Sequence, residues 1–234
     1  MLGGAFWAFL PALLKVTRGT NEVIVTLLLN YVAINLISYL VSGPMMENGA
    51  PYPYSNEISQ NSQLPVLLPQ TDAHCGFLIA IGLAVLLWFV FTKTVIGFKL
   101  DVVGENQTAA NRTGIDVKSQ QFWSLIFGGG FAGLAGAFEV IGLKHRLYHL
   151  FAGSYGHDGI VVSFLGGGSP IGSIFSAFFL AGLKSGSNDM QRGTGAPSTV
   201  VEVIFGLIII FAAMSVAVKI SGKSPKIGGD EQDD

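Results

Sequence analysis

Long apolar runs alternate with polar connections along the chain. Residues 23–41 (VIVTLLLNYVAINLISYLV) follow Gly19-Thr20-Asn21, where Thr20 or Asn21 can cap a helix. Residues 76–92, 122–143 and 199–218 are equally suited by length and apolarity to cross a bilayer. Residues 159–184 are apolar too, but Gly166-Gly167-Gly168-Ser169-Pro170 breaks them in the middle. That segment reads as two short half-helices, neither spanning alone, that re-enter the membrane. The pattern predicts an all-α integral membrane protein. Its architecture is a polytopic helical bundle with a Gly-broken re-entrant pair, and residues 1–218 form one transmembrane domain. Residues 93–121 form a polar loop between two spans, and residues 219–234 read as a disordered tail.

The first residues, MLGGAFWAFLPALLKVTRG, lack the order of a secretory signal. Pro11 interrupts them, Lys15 and Arg18 follow, and roughly 14 apolar residues are too few to span. They read as the last turns of a helix, with the sequence beginning inside a longer protein.

Composition supports the membrane class. Charged residues make up 12%, against about 25% in soluble domains. Half of the chain is hydrophobic, and the mean hydropathy is +0.54. A net charge of −2 offers no basic surface for nucleic acid. Cys75 is the single cysteine, which excludes an intrachain disulfide and a cysteine-based metal site.

Charge also sets the sides. Residues 42–75 carry five prolines, no lysine or arginine, and the acids Glu47, Glu57 and Asp72, so they are expected to be extracytoplasmic. The loop 93–121, with Lys93, Lys99, Arg112 and Lys118, is expected in the cytoplasm. Treating 159–184 as re-entrant keeps the lysine-bearing tail on that same side.

Several spans carry polar groups that hydrocarbon does not tolerate unpaired. Asn30 and Asn35 lie in the first clear span, with Thr26 and Tyr31 beside Asn30. Glu139 lies near the outer end of 122–143, as a candidate for pairing with Lys144 or His145 or for substrate contact. Gly129-x3-Gly133, with Gly136 and Ala137, predicts close approach of a neighbouring helix. His145-x3-His149 and His157-Asp158 lack the acid of a zinc-binding HExxH motif and read as a polar outer mouth, with no metal assigned. Gly222-Lys223-Ser224 fails as a phosphate-binding loop, because Ala217 stands where the first glycine belongs. No nucleotide site or catalytic residue is therefore assigned to the chain.

Gly104-Glu105-Asn106-Gln107-Thr108-Ala109-Ala110-Asn111-Arg112-Thr113-Gly114-Ile115 resembles the cytoplasmic loop of bacterial ABC importer permeases of the branched-chain amino acid, ribose and nucleoside group. Gln107 replaces that pattern's proline, and its arginine is displaced by one position to Arg112. Gly19-Thr20-Asn21-Glu22-Val23-Ile24, Leu29-Asn30-Tyr31, the run 132–140, Gly156-His157-Asp158-Gly159-Ile160 and Pro197-Ser198 look like the nucleoside and simple-sugar branch.

The resemblance implies a multi-pass permease subunit of the bacterial cell (inner) membrane. Its implied partners are a second permease, ABC ATPase subunits and an extracytoplasmic substrate-binding protein. ATP and Mg would be held by the ATPase, and no cofactor by this chain. Gly104, Glu105, Asn106, Ala109, Ala110, Arg112, Gly114 and Ile115 would form the ATPase-coupling element. Asn106 is expected as the N-cap of a short helix around 108–112, Gly114 as its C-cap, and Ala109 and Ala110 as sites of close packing. The substrate pathway would draw on Asn30, Asn35, Glu139 and Ser163 for hydrogen bonds, and on Phe138 and Phe164 for stacking on a nucleoside or sugar. Interhelical hydrogen bonding is the alternative role for each polar residue. Competing readings of the whole are an ion- or proton-coupled secondary transporter and a non-transporting membrane fragment.

Overall fold

A computed structural model describes residues 1–67, 71, 73–194 and scattered positions from 199 to 214. Among them the secondary structure is helical apart from isolated bridge pairs. The helices are α1 (Leu2–Arg18), α2 (Glu22–Ser42), α3 (Gly76–Lys93), α4 (Val95–Glu105), α5 (Gln107–Arg112), α6 (Val117–Glu139), α7 (Tyr155–Leu165) and α8 (Pro170–Thr194). A turn of π-helix, Val140–Lys144, prolongs α6. Glu22–Ser42, Gly76–Lys93 and Val117–Lys144 are long and apolar enough to cross a membrane, as expected. Most of the expected span 199–218, with the tail 219–234, lies outside the described residues. The chain divides into two compact units, Met1–Gly153 and Ser154–Asp234.

In the first unit the most extensive packing is α1 against α6. Glycine makes it possible. A Cβ built on Gly4 would meet the Gly129 carbonyl oxygen at 2.1 Å, and one on Gly129 would meet the Ala8 Cβ at 2.3 Å. Gly133 faces the Gly4 Cα at 2.9 Å in the same test. The small-residue stripe expected on α6 thus finds its partner in Gly4 and Ala8, at a backbone separation no larger side chain allows. The pairs Gly4 with Gly133 and Ala8 with Gly129 run in opposite senses, so the two helices are antiparallel.

That packing also corrects the expectation for the first residues. Pro11 does not interrupt the helix: α1 runs through it to Arg18, with Pro11 and Ala12 buried. Proline removes one donor from a helix, and here the helix continues despite that loss. The helix ends at Gly19 in the left-handed conformation, φ 62°.

The segment expected as a polar loop, 93–121, is largely helical. Thr94 opens α4 by accepting a bond from the Gly97 N–H at 3.4 Å. Asp116 caps α6, accepting from Ser119 N–H at 3.1 Å, so that helix begins five residues before the expected 122.

At the opposite end of this unit, residues 42–67 pack on the chain that follows α6. Leu64 N–H bonds Ile141 O at 3.2 Å, Ile58 N–H bonds His145 O at 2.9 Å, and Ser55 N–H bonds Leu147 O at 2.9 Å. Arg146 then joins two carboxylates, Glu47 at 2.7 Å and Glu57 at 3.0 Å, with its guanidinium 5.0 Å from the Tyr54 ring centroid. These acids hold the guanidinium's pKa above its ordinary value. The C-terminal end of α2 is tied in by Ser38 Oγ and His149 Nδ1, 2.6 Å apart.

In the second unit α7 and α8 form a hairpin. Gly167 and Gly168 take positive φ, 63° and 72°, and a Cβ on Gly166 would collide with Ser173 N at 2.6 Å. The expected break at 166–170 is therefore present, and each glycine has a steric reason. Lys184 on α8 reaches back to pair with Asp158 in the first turn of α7 and donates to Ser154 Oγ at 3.1 Å. The chain therefore reverses direction at the break. One expectation fails here: α8 does not stop at 184 but runs 25 residues to Thr194, about 37 Å of helix. The polar stretch after Lys184 hid this, because its glycines, serines and asparagine favour turns and caps by intrinsic propensity, a weak preference that context overrides here.

Candidate functional site

α5 is a six-residue helix, far below the length at which an isolated helix is stable in water. Local chemistry holds it at both ends. Asn106 Oδ1 accepts from Thr108 N–H and Ala109 N–H, each at 3.0 Å. At the other end Gly114 sits at φ 81°, its N–H bonding Asn111 O at 3.2 Å, while Ile115 N–H bonds Ala110 O at 3.1 Å. That pair of bonds around a left-handed glycine is a Schellman motif. Both expected caps, Asn106 and Gly114, are in place.

The faces of α5 differ. Ala110 is completely buried against its own chain and anchors the helix. Gly104, Glu105, Asn106, Ala109, Arg112 and Gly114 are exposed, and Ile115 is half-buried. Of the two alanines, only Ala109 is placed to pack on another chain.

Residues beyond the expected set join this surface. An open cleft of about 700 Å³ is lined by Lys15, Thr17, Gln107, Thr108, Asn111 and Lys118 among others. A second, of about 300 Å³, lies between Lys15, Glu22, Val103, Gly104, Gln107 and Gln121. Lys15 of α1 and Glu22 of α2 form an ion pair at 2.5 Å and line the second cleft together. The sequence signal for them was weak: a basic residue before a helix stop and an acid in the first turn of the next helix.

The substrate-pathway candidates are distributed over both units. Asn30 and Asn35 are exposed on α2, and Asn35 Nδ2 donates to Tyr31 O within that helix at 2.8 Å. Phe138 and Glu139 are half-buried at the junction where α6 passes into the π-turn. Ser163 and Phe164 are exposed on α7, in the second unit. Of the histidines, His149 meets Ser38, whereas His145 Nδ1 is buried without a hydrogen-bond partner. Among the described residues no group of three metal-ligating side chains converges.

Among the described residues three helices are long and apolar enough to cross a membrane, and a short, doubly capped helix lies between two of them. Residues 1–213 match the family of branched-chain amino acid transport system permease components, and the chain belongs to that family. It is 36% identical to a guanosine ABC transporter permease of Bacillus subtilis, over 97% of this chain and 66% of that protein. It is 35% identical to a glucose ABC transporter permease of Haloferax volcanii, over 92% of this chain and 59% of the relative. A nucleoside ABC transporter permease of Lactococcus lactis is 31% identical over 94% of this chain and 63% of its own length. The chain thus spans less than two thirds of each of these relatives. No solved structure matches it.

Proposed function

We propose that the chain is the membrane-spanning subunit of an ATP-driven ABC importer carrying a nucleoside or simple sugar inward. Residues 104–115 couple it to a separate ATPase, which holds ATP and Mg. The remaining partners in this reading are a second permease and an extracytoplasmic substrate-binding protein, and no cofactor resides on this chain. One observation supports the coupling role above the others. A six-residue helix capped at both ends, with one buried alanine and an exposed opposite face, is rigid enough to transmit a push and free to receive one. The names of the relatives, guanosine, glucose and nucleoside permeases, support the substrate class.

The substrate-pathway roles of Asn30, Asn35, Phe138, Glu139, Ser163 and Phe164 belong to the same reading. Neutral amides and hydroxyls suit a solute whose hydroxyls and ring edges carry no net charge. The test is reconstitution of the chain with its partner permease, ATPase and binding protein in vesicles, with labelled guanosine and glucose supplied outside. ATP-dependent uptake of one of them is expected, and Ala109→Trp is expected to abolish it while insertion persists. Uptake driven by a pH gradient without ATPase would instead establish a secondary carrier. Full uptake by the Ala109→Trp protein would overturn the coupling role.

A further inference from the structure

Between α3, α4 and α6 lies a groove of about 400 Å³, lined by Leu86, Val90, Phe91, Ile96, Leu100, Trp123, Phe127 and neighbours. Gln120 and Ser124 supply its few polar atoms. That volume falls within the range of small-molecule sites, and two of its three walls are membrane-spanning helices. The third wall, α4, begins right after α3 ends at Lys93, and its Val95, Ile96 and Phe98 are exposed. A short helix with exposed apolar side chains and a lysine, placed at the end of a span, has the character of an interfacial helix.

Two lysines flank the groove. Lys93 follows Val90 by three residues and Lys99 follows Ile96 by three, so each lysine continues a lining stripe at the cytoplasmic end. Both are exposed. Asp101 is turned roughly 140° from Ile96 and about 100° from Leu100, on the opposite side of Leu100 from Lys99. An apolar groove at bilayer depth, open on one side and flanked at the headgroup level by two cations, matches one ligand in shape and charge. We propose that it binds an anionic phospholipid, with an acyl chain along Leu86, Val90, Trp123 and Phe127 and the phosphate between Lys93 and Lys99.

The proposal can be tested without transport. The chain has three tryptophans. Trp7→Phe/Trp88→Phe leaves Trp123 in the groove, and Trp7→Phe/Trp123→Phe leaves Trp88, which lies on α3 but not in the lining. Each protein is reconstituted in vesicles of phosphatidylcholine containing brominated phosphatidylglycerol or, in parallel, brominated phosphatidylcholine, and quenching is titrated. Trp123 is expected to prefer phosphatidylglycerol, with about fivefold of that preference lost for each of Lys93→Gln and Lys99→Gln. Trp88 is expected to show no preference. Equal quenching of Trp123 by both lipids, a preference untouched by the two substitutions, or the same preference at Trp88 would overturn the proposal. So would complete protection of Trp123 from both lipids on assembly with a second permease, which would make the groove a subunit interface.

Discussion

Asn106→Ala should loosen α5 as a unit, because the helix is too short to hold itself. Two acceptor bonds are lost at once, to the amides of Thr108 and Ala109, and loss of such a cap costs about 1 kcal/mol, within a range of 0.5–2. Burial of the Ala110 methyl offsets this by about 0.8 kcal/mol at most, so packing alone does not compensate for the cap. Gly114→Ala attacks the other end, where φ 81° costs a Cβ-bearing residue about 1–2 kcal/mol. Amide hydrogen exchange of the protein in bilayers reads the result. Asn106→Ala should raise exchange about fivefold at Ala110, Thr113 and Ile115 as well as at the two amides it deprives directly. Combined with Gly114→Ala the increase should reach about thirtyfold or more. Asn106→Asp, which keeps the acceptor, should restore protection, and α6 amides near Gly129 should not respond to any of these changes. Unchanged exchange at Thr113 and Ile115 in the double variant would refute the reasoning, because the helix would then be held by its seat and not by its caps.

Other perturbations test other joints. Gly129→Leu should separate α1 from α6, since even a methyl there would lie 2.3 Å from Ala8 Cβ; a loss of 1–3 kcal/mol or more is expected in thermal denaturation, while Gly136→Ala, with open space around it, serves as the silent control. Arg146→Gln should free residues 47–57 and speed their cleavage by protease added outside vesicles, and high salt should reproduce part of that effect on the unsubstituted chain. In a Cys75→Ser background, a thiol at Gln191 on α8 should label from outside if the α7–α8 hairpin re-enters; labelling from the cytoplasm alone would mean a straight crossing.

The spans at 22–42, 76–93 and 117–144 were legible because apolar length is a strong signal, and the caps of α5 because asparagine and glycine have few reasons to sit where Asn106 and Gly114 do. The glycine stripe on α6 was legible as a demand for a close neighbour, but nothing in its residues named α1. What stayed hidden has physical causes. α4 escaped because Val95, Ile96, Phe98, Leu100 and Val103 alternate with lysine and aspartate over only 11 residues, a pattern that reads as loop beside spans twice its length. The inward turn of Ala110 escaped because six residues contain too few turns to show a period. The seat of residues 55–64 on 141–147 is built largely from backbone bonds, which leave no trace in side-chain identity. Arg146 had a trace: three acids in a loop without lysine or arginine ask for a cation elsewhere.

That last point bears on topology. The charge rule alone places 42–75 outside and 93–121 inside, and Arg146 and Lys144 at the end of α6 count against it, being basic residues on the outer side. The structure removes the stronger objection. Arg146 is paired with Glu47 and Glu57, acids of the loop that the charge rule expects to be extracytoplasmic, so this ion-pair cluster carries one guanidinium against two carboxylates. Lys144 lies 5.8 Å from the centroid of the Tyr148 ring. The backbone bonds to Ile141, His145 and Leu147 place the far ends of α2 and α6 together by geometry that owes nothing to charge. At the other end, Lys15 and Glu22 line one cleft with Val103, Gly104 and Gln107, which brings the start of α2 to the capped helix. Connectivity thus groups the start of α2 with α5 at one end of this unit, and the far end of α2 with residues 55–64 and 141–147 at the other, the grouping that the charge pattern expects.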